Sequence, residues 1–213
     1  MKEKTVLSAV KKVSLALCVL FMVSAADASG PIFTRIKSAY DSFKDISGKF
    51  SQLSKIKDLN KEMSYEGIFS IKPPSKMSWR YEGEDEQEVY INGDELTIYK
   101  KKLNQAMRSK LDEAAIAQTP LALLRGLKDI EKDYDIVEKK DVMRLTPKNP
   151  SFKVKYFDVY PSKDAPFPIK KIVLYDKNDN TVELTLQGVK VNAGLADEIF
   201  QFIPPEGVTI VDN

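Results

Sequence analysis

MSYEGIFSIKPPSKMSWRY, residues 63–81, decides the architecture. Met63, Tyr65, Gly67, Phe69 and Ile71 share one parity, and Ser64, Glu66, Ile68 and Ser70 share the other. After a Pro-Pro break, Met77, Trp79 and Tyr81 alternate with Ser78 and Arg80. A period of two with large apolar groups on one side is the signature of paired strands with one face turned to a core. The same alternation continues outward on both sides. Strands are predicted at 46–57, 86–92, 95–101, 134–138, 141–146, 151–160, 169–176 and 181–191. Asn92-Gly93 marks a tight hairpin, and Lys177-Asn178-Asp179-Asn180 marks another turn. About ten short strands without intervening helices describe a single antiparallel sheet, closed or partly closed.

Two stretches have helical spacing. Ile32, Phe33, Ile36, Ala39, Tyr40 and Phe43 fall on one side of a helix over 32–45, with Pro31 suited to its first turn. In KLDEAAIAQTPLALLRGL (110–127), Thr119 is a natural N-cap, Pro120 a first helical residue and Gly126 a terminator. Leu121, Leu124 and Leu127 line one side, and LDEAAIA has the composition of a further helical turn. A sheet cannot leave one apolar face in water, and two short helices are few for so many strands. The sheet is therefore expected to curl, with the helices over its concave side. On pattern alone, Phe69, Ile71, Met77, Trp79 and Tyr81 either fill a solid core or line a hollow for an apolar ligand.

The N-terminus carries Lys2, Lys4, Lys11 and Lys12, then the apolar run 13–23, then SAADAS (24–29). This reads as a secretory signal over 1–28, cut after Ala28 or alternatively Ala26, leaving a single domain over 29–213. The apolar run is short for a bilayer span. Cutting after Ala28 leaves 29 basic and 29 acidic residues and removes Cys18, the chain's one thiol. No disulfide framework is then expected. Cys18 follows Leu17 and precedes five apolar residues, a poor setting for lipidation.

The full chain of 213 residues has net charge +2, no His and one Cys. A balanced charge speaks against nucleic-acid binding. Without His, and with no mature Cys, the nucleophile and base options shrink to Asp, Glu, Lys, Tyr and Ser, none in a recognisable catalytic motif. No enzymatic activity and no cofactor are expected. The acidic cluster Glu82, Glu84, Asp85, Glu86 and Glu88 has no metal-loop spacing. Lys100, Lys101 and Lys102 read as a solvated loop after a strand, 161–168 as a Pro-rich loop, and Pro204, Pro205 and Gly207 as a turn before the last strand.

Five segments, in order, carry a family resemblance: FSQ (50–52), GIFSIKPPSKMSWRY (67–81), YINGDELTIYKKKLNQA (90–106), TPLALLRG (119–126) and FQFIPPEGVTIV (200–211). Together they resemble the periplasmic outer-membrane lipoprotein carrier (LolA) family across essentially the whole mature chain. The resemblance implies an unclosed antiparallel half-barrel lidded by helices. It implies a monomeric periplasmic chaperone that holds lipoprotein acyl chains in an apolar cavity and moves them from inner to outer membrane. The implied partners are acylated lipoprotein cargo, an inner-membrane lipoprotein-releasing ABC transporter and an outer-membrane lipoprotein receptor. Rival readings are an outer-membrane-anchored acceptor of the same fold, which needs a lipidated Cys, and a soluble lipid-sensing envelope domain. The residues expected to contact acyl chains are Phe69, Ile71, Met77, Trp79, Tyr81, Ile98 and Ile36, with Leu121 and Leu124 on the lid; Tyr99 competes with Ile98 for the inward position. One position departs from the family. The Arg that commonly latches the lid is replaced by Pro73, which has neither charge nor backbone donor. Lys72 lies at opposite parity and is expected to point to the other face.

Overall fold

The computed structural model describes residues 32–84, 86–126, 130–163 and 166–212. The signal segment with Cys18, Pro31, Asp85 and Leu127 lie outside the described residues. Helix α1 (Ile32–Ser42) is followed by strands β1 (Ile46–Ile56), β2 (Lys61–Lys72), β3 (Lys76–Glu82), β4 (Gln87–Asn92), β5 (Glu95–Lys100) and β6 (Gln105–Lys110). Three short helices come next: α2 (Glu113–Ala117), α3 (Leu121–Arg125) and α4 (Ile130–Asp133). The chain then returns as β7 (Tyr134–Lys139), β8 (Val142–Pro147), β9 (Val154–Pro161), β10 (Ile169–Asp176) and β11 (Thr181–Val191). A 3-10 turn at Asp197–Phe200 and a final strand β12 (Thr209–Asp212) end it.

All twelve described strands form one sheet in the order β12-β6-β5-β4-β3-β2-β1-β11-β10-β9-β8-β7. The two outer strands do not meet, so the sheet is an open half-barrel. Every pairing is antiparallel except β12 with β6, which is parallel and corrects the expectation of an all-antiparallel sheet. Strand β6 was not foreseen: QAMRSK offers little apolar alternation, and its pairing with β5 and β12 comes from the backbone ladder. The hairpin at Asn92-Gly93 is present. Asn92 pairs with Glu95, and Gly93, at φ +69°, opens the two-residue loop. Lys101–Leu103 forms a short 3-10 turn after β5.

The register puts the apolar parity of each strand on the concave side. Leu96, Ile91, Met77, Ile71 and Ile46 run in one row across β5, β4, β3, β2 and β1. Ile98, Val89, Trp79 and Phe69 run beside them, and the Phe69 row reaches Gly48. Farther along, Gln52, Leu184, Ile172, Val159 and Met143 continue the surface through β11, β10, β9 and β8. Phe50 lies over Gly67 and stacks on Trp79 with ring centroids 4.1 Å apart. A Cβ at Gly67 would run into the Arg80 carbonyl and stand 2.7 Å from the Phe50 ring, so only glycine fits there.

The convex side is closed by the C-terminal segment. The buried Asp45 carboxylate accepts the backbone N–H groups of Ala193, Gly194 and Leu195 at 2.7–3.1 Å, which fixes where this strap leaves β11. Asp197 then pairs with Lys72 (2.6 Å) and Lys76 (2.7 Å), and these two ammonium groups hold its carboxyl down to about 2. Phe200 is fully buried, and Phe202 packs on Tyr90 and Tyr99 before β12 joins the sheet edge. Lys72 therefore serves the convex side, as its parity dictated.

Candidate functional site: a lidded apolar hollow

Helices α1, α2 and α3 lie over the concave face. Asp112 caps α2 by accepting the Ala114 and Ala115 N–H groups at 2.9 and 3.1 Å. Thr119 does not cap α3. Its hydroxyl turns back to donate to the Ile116 carbonyl, and Pro120 takes the N-cap position with no side-chain bond. The physical reason is that α2 ends at Ala117, and the turn in which the Thr119 N–H bonds the Ile116 carbonyl brings that oxygen within reach of the hydroxyl as well.

Among the side chains that fasten this roof, three stand out. The Tyr40 hydroxyl, on α1, donates to the Leu123 carbonyl at 2.7 Å, and burial drives its ionisation far above the usual phenol range. The Tyr134 hydroxyl donates to the Ala117 carbonyl at 2.7 Å, and burial pushes it up to about 12. Arg125 is the third. Its guanidinium forks onto the Glu113 carboxylate at 2.9 and 3.2 Å, and its Nε donates to the Pro74 carbonyl at 3.3 Å. Arg125 thus ties α3 to α2 and both to the β2–β3 turn. In the bond to Pro74 the donor sits on the roof and the acceptor on the wall. In the sequence, Leu-Arg-Gly at a helix end reads only as a base complementing the helix dipole, so no local signal marked it.

Between roof and sheet lies a hollow of about 540 Å³, within the usual range for small-ligand sites. Its apolar wall is Ala115, Pro120 and Leu121 from the roof with Val154, Leu174, Val182 and Leu184 from the sheet. Gln52 and Tyr81 lie on the β1 and β3 side, and Gln118, Thr119, Lys153 and Asp176 complete the lining. Of the nine residues singled out from sequence, Tyr81 and Leu121 line this hollow. Phe69, Ile71, Met77, Trp79, Ile36 and Leu124 are fully buried in the core shared by roof and sheet. Ile98 lies half-buried on the concave face, across from Val89, while Tyr99 faces the convex side against Phe202. The sheet side of the hollow comes instead from β9, β10 and β11. The parity of Leu174, Val182 and Leu184 was readable, but nothing local shows that the roof stands over those strands.

Among the described residues, no group of three or more His, Cys, Asp or Glu could hold a metal, and no helix is long and apolar enough to cross a membrane.

With this geometry in view, residues 41–203 match the profile of the family described as outer membrane lipoprotein carrier protein LolA. The chain belongs to the LolA family. An outer-membrane lipoprotein carrier protein of Nitrosomonas europaea is 27% identical over 202 residues, covering 92% of this chain and 95% of that protein. Another, from Cupriavidus taiwanensis, is 31% identical over 156 residues, covering 68% and 69%. Among solved structures, an uncharacterized conserved protein of Thermus thermophilus shares the fold with a TM-score of 0.53, at 12% identity over 85% of this chain and 97% of that one. The open half-barrel under a helical roof is thus this chain's form of the LolA-family fold.

Proposed function

We propose that the protein is a non-enzymatic periplasmic carrier. It takes the acyl chains of lipoproteins into the hollow beneath α2 and α3, receives its cargo from an inner-membrane ABC transporter and surrenders it to an outer-membrane receptor. The observation that supports this most directly is an apolar hollow whose one wall is built of five-residue helices held by a few polar contacts.

Each buried CH₂ is worth ~0.8 kcal/mol, so a chain of roughly 16 carbons resists entering water by about 10 kcal/mol or more. A protein with two or three such anchors does not cross an aqueous gap unaided. A hollow lined by Leu121, Val154, Leu174, Val182 and Leu184 replaces water with hydrocarbon. Release requires a hold weaker than the next acceptor's. The empty protein supplies that weakness, because Leu123 and Leu124 of the roof occupy the concave face and compete with an incoming chain.

The test is native mass spectrometry of the protein recovered from the periplasm, together with lipoprotein release from inner-membrane vesicles. A one-to-one complex with an acylated polypeptide, and release that depends on added protein, are expected. Protein that carries no acylated species and leaves release unchanged would overturn the reading.

A further inference from the structure

The apolar hollow ends at an unusual group of uncharged polar side chains on the concave face of β1, β2 and β3. Trp79 is fully buried, and its Nε1–H makes no well-aligned hydrogen bond. It lies beside the Tyr81 hydroxyl, where its N–H works against the burial that raises that phenol's pKa. The Tyr81 hydroxyl itself reaches only the Gln52 Oε1, at a long 3.4 Å. Gln52 and Tyr81 also border a second, polar pocket of about 320 Å³ with Ser54, Tyr65 and Gln87. A buried donor without an acceptor is rare in folded proteins, because desolvating it is costly unless something bonds it.

An apolar hollow, the Tyr81 hydroxyl at its border with the Trp79 Nε1–H buried beside it, and a polar pocket that shares Gln52 and Tyr81 match the parts of an acylated glycerol in sequence. On the reading that the hollow holds acyl chains, the geometry points to a carbonyl subsite: the ester carbonyl of the bound lipid accepts hydrogen bonds from Trp79 Nε1 and the Tyr81 hydroxyl. The tail runs along Leu121, Val182 and Leu184, and the glyceryl part enters the pocket of Tyr65 and Gln87. The donors are neutral, and the polar pocket's lining contains no charged residue. Of the charged residues of the larger hollow, Lys153 is exposed, and Asp176 is occupied by Asn178 and Asn180. The subsite therefore suits an uncharged ester rather than a carboxylate. Trp79 is fully buried and lines neither pocket, so the subsite requires the roof to lift before a lipid reaches it.

Calorimetric titration of the whole protein with 1-lauroylglycerol, its ether analogue 1-O-dodecylglycerol and laurate, each below its micelle concentration, tests this. Ester and ether share tail and head but differ in the carbonyl. The ester is expected to bind roughly 3- to 10-fold tighter than the ether, the value of one or two neutral hydrogen bonds. Trp79→Phe, which keeps a stacking ring, and Tyr81→Phe are each expected to reduce that ratio towards one, whatever their effect on the ether's own affinity. Tyr81→Phe and the wild-type ratio decide the matter if Trp79→Phe folds poorly. Equal binding of ester and ether overturns the subsite but leaves an acyl-binding hollow intact; laurate binding tighter than the ester overturns its preference for a neutral group. Binding of none of the three overturns the subsite together with the carrier reading.

Discussion

Replacing Arg125 with Met keeps most of the stem's packing but removes every contact of its charged head. The Arg125 side chain is 12% exposed and its partner Glu113 69% exposed, so solvent screens much of the pair. A bidentate but half-exposed pair is worth about 0.5–1 kcal/mol. The bond from Nε to the Pro74 carbonyl, long at 3.3 Å, adds up to about 1 kcal/mol. Their loss weakens roof docking by roughly 1–2 kcal/mol, which multiplies the open population roughly 5- to 30-fold. Hydrogen exchange reads this residue by residue. The amides of Ile116, Gln118, Thr119 and Leu123, all bonded within the roof, should lose protection by that factor, while those of Phe69 and Trp79 in the central strands keep theirs. Glu113→Gln, which spares the Pro74 bond, should give a smaller loss. Unchanged protection in the roof, or an equal fall in the central strands, would refute the latch.

Gly67→Ala should cost about 2–3 kcal/mol, because a methyl there meets the Arg80 carbonyl and the Phe50 ring; a melting temperature lower by roughly 5–10 °C checks it. Tyr40→Phe leaves the buried Leu123 carbonyl without its donor and should cost about 1–2 kcal/mol in denaturant titration, with the loss of exchange protection concentrated in α3. The Asp197 carboxyl is held at about 2, below its ordinary 3.8. Its stabilising effect is therefore complete above the ordinary value and fades as pH falls from about 4 towards 2. Asp197→Asn should melt below the wild type at pH 7, and the gap should close near pH 2.

Parity made the sheet legible. Phe69, Ile71, Met77 and Trp79 share a face because side chains alternate every residue, and that face is buried. The strands with weak alternation were harder, since the pairing of Gln105–Lys110 with its neighbours is made by backbone groups that every sequence carries. The site was only half visible. Tyr81 and Leu121 lie where their local pattern suggested. The opposite wall, from Val154, Leu174, Val182 and Leu184, depends on how far α2 and α3 reach across the sheet, which is a tertiary matter. Arg125 was missed for the same reason: its partners Glu113 and Pro74 are 12 and 51 residues away.

The hook on the roof grips a main-chain oxygen of the wall. An oxygen of that kind survives any exchange of side chain at residue 74, so at this corner inherited change can adjust how firmly the door shuts only from the door's side. A single codon, that of Arg125, can then set how firmly this corner closes, with the supporting shell left untouched.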